Sequence, residues 1–175
     1  MDISKLPVGD NPPESVNVII EIPLRADPVK YEFDKDSGFL IVDRMLSTPM
    51  HYPCNYGFIP KTLSDDGDPV DVLVIADLPL ISGAVIKCRP LGVLIMEDEA
   101  GMDEKLICVP IDRVWKNSAA YKEITDVPEN TLGQIKHFFE HYKDLEPGKW
   151  ARTSGVEGRQ KAIEIINKAI ADYKP

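Results

Sequence analysis

Hydrophobic and polar positions alternate in short blocks along the first two thirds of the chain. Val16–Ile22 holds five apolar residues in seven, mostly β-branched, and predicts a strand. Lys30–Asp34 alternates strictly, with Tyr31 and Phe33 on one face and Lys30, Glu32 and Asp34 on the other. Asp36-Ser37-Gly38 supplies a turn and Phe39–Arg44 returns, so a hairpin is expected. Residues 50–61 mix prolines and aromatics and predict an irregular loop. Val70–Ala76 is a nearly continuous apolar strand, Ser82-Gly83 a turn, and Ala84–Arg89 and Gly92–Met96 two further strands. Asp98–Gly101 turns the chain into a last strand, Lys105–Val109. Short strands joined by turns up to about residue 114 point to a small barrel.

The period then changes. Leu132, Ile135, Phe139 and Tyr142 recur at helical spacing, between Pro128 and Pro147-Gly148. Ala162, Ile165, Ile166, Ala169 and Ile170 mark a second amphipathic helix. Strands followed by helices give an α+β class rather than alternating βαβ units. At 175 residues and 43% apolar content, residues 1–175 are expected to form one domain with a core of its own.

Charge and cysteine content narrow the function. A net charge of −9 opposes non-specific nucleic-acid binding. Cys54, Cys88 and Cys108 show neither paired nor metal-type spacing, which suits a reducing, cytoplasmic setting. The opening Met1–Pro7 lacks an apolar signal region, and no apolar run reaches membrane-spanning length, so no membrane partner is expected.

The most particular stretch is Asp65-Asp66-Gly67-Asp68-Pro69-Val70-Asp71, four carboxylates in seven residues. Like charges so close repel unless something neutralises them. Oxygen-seeking cations such as Mg²⁺ or Ca²⁺ are the usual answer. Pro69 keeps Asp68 out of the helical region, so the acids are splayed along extended backbone. A solvated acidic loop is the alternative. A second acidic group, Glu97-Asp98-Glu99 with Asp103-Glu104, reads by itself equally well as an exposed hairpin. Asp103 and Lys105, two apart, should point to one side.

The Asp-Gly-Asp-Pro-Val-Asp pattern resembles the signature of the soluble family I inorganic pyrophosphatases of bacterial type. Val18–Pro23, Asp27–Glu32, Val42-Asp43-Arg44, Tyr52–Gly57, Asp98–Gly101 and His137–Lys143 are similar to that family in order and spacing. The resemblance implies an OB-like closed five-stranded β-barrel flanked by two main α-helices. It also implies Mg²⁺-dependent hydrolysis of pyrophosphate to two phosphates, with several Mg²⁺ per subunit, in a homohexamer. By family position Asp66, Asp71, Asp98 and Asp103 are metal ligands and Asp68 is the general base. Lys30, Arg44, Tyr56, Lys105, Tyr142 and Lys143 would hold the phosphoryl groups, with Glu21, Glu32, Tyr52 and Glu99 in support. Glu97 and Glu104 remain surface charges.

Each of these residues also has a plain structural reading. A single Lys or Arg is more commonly a surface ion pair, and Tyr52, Tyr56 and Tyr142 could be core aromatics with satisfied hydroxyls. Glu21, among β-formers, would be costly if buried without a partner. His137 and His141 share a helix face, but no third zinc ligand is visible; a packed or interfacial pair fits better. Cys54 has no base beside it and reads as packing. An EF-hand fails because Asp71 and Asp77 stand where Gly and Glu are needed, and GxxxxGK[ST] is absent. Two rivals remain: a non-catalytic OB-type binding module, and a phosphohydrolase acting on another polyphosphate. Ala151–Gln160, with Val156 where the family often has an aromatic, departs from the pattern and leaves the packing there open.

Overall fold

The computed structural model describes residues 3–34 and 37–174. Its framework is a ring of strands. β1 (Val16–Ile22) pairs with β4 (Asn55–Phe58), β4 with β5 (Asp71–Val74), β5 with β8 (Lys105–Pro110) and β8 with β6 (Val85–Asp98). β6 returns to β1 through Val16↔Cys88 to Ile19↔Val85, which closes a barrel of five strands. All pairs are antiparallel except β5–β8. Outside the ring lie the hairpin β2 (Val29–Phe33) and β3 (Leu40–Met45), the short β7 (Gly101–Met102), α1 (Glu129–His141), β9 (Ala151–Gly158) and α2 (Arg159–Asp172). The α+β reading and the five-stranded barrel agree with this arrangement.

Four element expectations change. The segment 50–61 is not wholly irregular: Asn55–Phe58 is a buried barrel strand. Its Gly57 passes so close to β1 that a Cβ there would stand 1.9 Å from the Ile19 carbonyl oxygen. The strands expected at 84–89 and 92–96 are one 14-residue strand, β6. Pro90, which donates no hydrogen bond, is absorbed by a bulge between Pro90 and Gly92 in the pairing with β8. The strand expected over 70–76 shortens to Asp71–Val74. Residues 151–158, where the packing was open, form β9, paired along β6 from Gly92↔Gly158 to Asp98↔Ala151. Of the turn expected between the hairpin strands, Asp36 lies outside the described residues. At Asp34, both the backbone and the side chain of Ser37 donate to the carboxylate.

Successive residues of the barrel strands go to opposite faces, as the pleat requires. Val72, Val74, Leu106 and Cys108 join Ala162, Ile166 and Ala169 of α2 in one buried cluster. Leu73, Ile107 and Val109 join Ile135, Phe138 and Phe139 of α1 in another. The helix faces read from the sequence are the faces that pack. Pro128 precedes α1 and Gly148, at φ +78°, completes the turn beyond it. Among the described residues no helix is long and apolar enough to cross a membrane.

Candidate active site

All fifteen residues singled out in the sequence line one cleft of about 330 Å³. β1 brings Glu21, β2 brings Lys30 and Glu32, and β3 brings Arg44. The 46–54 segment and β4 supply Tyr52 and Tyr56. The loop into β5 carries Asp66 and Asp68, and β5 opens with Asp71; β6 ends on Asp98, the β6–β8 connection carries Glu99 and Asp103, β8 opens with Lys105, and the turn after α1 carries Tyr142 and Lys143. Barrel closure gathers segments more than 100 residues apart.

Lys105 is the best buried of the cations, with its side chain 5% exposed. Its ammonium bonds Asp71 and Asp103 and lies 6.0 Å from the Tyr56 ring centre. Burial works against its charge, but Asp71 and Asp103 outweigh burial and hold it well above the ordinary lysine range. Asp103 and Lys105 do point to one side. Lys143 donates to Asp98 at 2.7 Å and to Glu99 at 3.2 Å. Lys30 pairs with Glu32 and, at 3.4 Å, with Asp43. Arg44 donates to Asp43 at 2.7 Å and to Glu146 at 3.3 Å.

The carboxylates are incompletely compensated. Glu21 is buried; its Oε1 accepts the Phe33 N–H at 2.8 Å, yet burial, with Asp71 and Glu32 nearby, pushes its pKa up to about 8. Burial also raises Asp66 and Asp103, each with Asp71 adding to the rise. Asp66 and Asp68 sit exposed at the mouth, where the Asp66 carboxylate accepts the Asp68 N–H at 2.9 Å. Glu99 is the opposite case: partial burial raises it, but Lys149 and Lys143 draw it down to about 2. Burial raises the Tyr52, Tyr56 and Tyr142 hydroxyls further above their ordinary value, so they stay protonated.

Eight carboxyl groups thus face five cations, so an incoming polyanion meets a net negative cleft. Among the described residues no three His, Cys, Asp or Glu groups stand in a ready-made cage. An all-carboxylate donor set spread round an open cleft fits Mg²⁺, which takes one or two carboxylates and keeps waters or substrate phosphates for the rest. The His137 and His141 rings lie 4.6 Å apart, tilted by 45°, and His141 contacts Asp144 at 2.8 Å; among the described residues no group of three ligands for zinc forms there. Cys54 is buried, its thiol pushed up to about 12 by burial, and serves packing. A second hollow of about 620 Å³, between residues 50–53 and α1, is mainly apolar and has no carboxylate.

The chain matches the family model "Inorganic pyrophosphatase" over residues 18–174. It belongs to the inorganic pyrophosphatase family. An inorganic pyrophosphatase of Rhodospirillum rubrum is 56% identical over 98% of this chain and 96% of its own. That of Agrobacterium fabrum is 54% identical over 99% and 98%. The crystal structure of the Thermus thermophilus inorganic pyrophosphatase superposes with a TM-score of 0.94 at 44% identity, covering all of both chains.

The sequence reading gave no role to Asp43, which pairs with Lys30 and Arg44, nor to Lys149 and Glu146. Lys149 lines the cleft and contacts Glu99 at 2.6 Å. Glu146 holds Arg44 from outside. A lysine after Pro-Gly and a lone glutamate carry no pattern; only the fold of the 143–149 turn makes them neighbours of the site.

Proposed function

We propose that this chain works as one inorganic pyrophosphatase domain, converting pyrophosphate and water to two phosphates with Mg²⁺ as cofactor. What carries the reading is the meeting, in a single cleft, of eight carboxyl groups with five Lys and Arg side chains, in a chain similar to named pyrophosphatases over nearly its whole length.

Asp66, Asp71, Asp98 and Asp103 would hold the metal, with Glu21 and Glu32 in support. Bound there, Mg²⁺ supplies charge neutralisation and acidifies a water near neutral pH. Asp68, exposed at the mouth between those acids, accepts a proton from water attacking in line. Lys30, Arg44, Lys105 and Lys143 hold the phosphoryl oxygens and balance charge on the departing phosphate, and the Tyr56 and Tyr142 hydroxyls donate to them. Glu99 orients Lys143, while Tyr52 packs on Tyr56 at 5.2 Å and Phe138 at 4.6 Å and fixes the wall. Such catalysis is chiefly positioning and electrostatics. The resemblance supports a cytoplasmic homohexamer, with the His137–His141 face at a subunit contact, and neither nucleic acid nor membrane as partner.

Two variants test the roles. Asp68→Asn should keep Mg²⁺ binding while turnover drops about 10²- to 10⁴-fold, the usual share of a general base. Asp71→Asn should instead shift the Mg²⁺ dependence to higher concentration. Wild-type turnover in the first, or an unchanged Mg²⁺ titration in the second, would remove the assigned role.

A further inference from the structure

The cations of the cleft form a gradient of exposure. The Lys105 and Lys143 side chains are 5% and 8% exposed, Lys30 21%, Arg44 31% and Lys149 49%. Lys149 therefore stands at the mouth. It is anchored by backbone: its N–H donates to the Glu146 carbonyl at 3.1 Å, and the Glu146 N–H donates to the Lys143 carbonyl at 2.8 Å. The 143–149 turn thus carries two lysines into the same cleft.

Those two lysines meet on one carboxylate. Glu99 Oε1 lies 3.3 Å from Lys143 Nζ and 2.6 Å from Lys149 Nζ, so the two ammoniums are within about 6 Å of each other. The Trp150 N–H also points to Glu99, at 3.4 Å. A carboxylate bridging two ammoniums occupies the kind of place a phosphoryl group takes. Each ammonium carries three donors, and among the described residues the one ion-pair partner of Lys149 is Glu99. It keeps donors for an arriving anion.

We infer that Lys149 is a further substrate contact, sharing one phosphoryl group of pyrophosphate with Lys143 at the cleft mouth. This rests on the pyrophosphate reading above. Glu99 holds Lys149 over the entrance before substrate arrives, so the contact needs little reordering. A merely structural Lys149 would be a half-exposed ion pair whose loss costs little.

The test compares wild type with Lys149→Gln, Lys149→Arg and Lys149→Glu in steady-state pyrophosphate hydrolysis at saturating Mg²⁺, folding being checked by circular dichroism. The inference predicts that Lys149→Gln lowers kcat/KM about tenfold, mainly through KM. Lys149→Arg should recover most of the loss, Lys149→Glu should deepen it, and imidodiphosphate, which resists cleavage, should inhibit Lys149→Gln about tenfold more weakly. Wild-type KM and inhibition in Lys149→Gln, or in Lys149→Glu should the first not fold, would overturn it. So would a fall in kcat alone, which would mean that Lys149 acts only through Glu99. An inactive wild type would instead remove the pyrophosphate reading itself.

Discussion

Replacing Lys105 with Met isolates the balance on which the site rests. The side chains are similar in length, so packing against Tyr56 survives while the charge goes. What remains is Asp71 and Asp103, with side chains 21% and 16% exposed, facing each other without the ammonium both had bonded. Removing one partner of a buried ion pair costs about 3–5 kcal/mol. Because both acids keep some water and Met needs no desolvated charge, the lower end applies, about 3 kcal/mol. In a chain of this size that is a fall in Tm of about 6–12 °C. The assay is guanidinium and thermal unfolding in chelator at pH 8, repeated at pH 5 and with Mg²⁺. Burial already raises Asp103 and Lys105 holds it down, so without Lys105 it favours protonation in the folded state and the deficit should shrink as pH falls. Mg²⁺ can take the place of the lost charge, so it should stabilise the variant more than wild type. At a hundred times its Kd a ligand contributes about 2.7 kcal/mol. Turnover should fall at least about 10²-fold if Lys105 holds a phosphoryl oxygen as proposed. A variant as stable as wild type at pH 8 in chelator, or a deficit indifferent to pH and Mg²⁺, would refute this account.

Glu21 gives a pH signature. Folded, it holds its proton to about pH 8, against about 4.5 ordinarily, so its contribution is complete below 4.5 and is lost as pH rises from there through 8. In chelator, Glu21→Gln should therefore flatten stability between pH 5 and 8 and exceed wild type at pH 8 by at least about 1 kcal/mol; parallel unfolding curves would count against the burial argument. Gly57→Ala should abolish folding, because its Cβ would sit 1.9 Å from the Ile19 carbonyl oxygen and 2.9 Å from Ile20 Cα, both backbone atoms. A melting temperature within a few degrees of wild type would contradict the closeness of β1 and β4.

The sequence made the helices legible because Ile135, Phe139, Ala162 and Ile166 repeat at a period only a helix satisfies. The barrel class was legible from Val16–Ile22 and Val72–Val74. Less so were β4, whose Asn55-Tyr56-Gly57-Phe58 lies between prolines and has no alternation, and β9, whose Ala151–Gly158 mixes charge, Ser and Gly. Both are strands because a partner strand requires them, not through local preference. Pro90 hid the continuity of β6, since a proline ordinarily ends a strand and here is taken up by a bulge. The acids of 65–71 stood out through density alone. The cations did not: Lys30, Arg44 and Lys143 look like any surface charge until barrel closure brings them together. Glu146 and Lys149 remain invisible without the turn that carries them.

Mg²⁺-assisted hydrolysis of pyrophosphate is the activity proposed for this cleft. The direct measurement is phosphate release from pyrophosphate by the purified protein, with Mg²⁺ and with chelator, beside ATP. Rapid release that needs Mg²⁺, with little from ATP, is the expected result. A folded protein with Mg²⁺ present and no release from pyrophosphate would contradict it and leave the cleft a binding site without this chemistry.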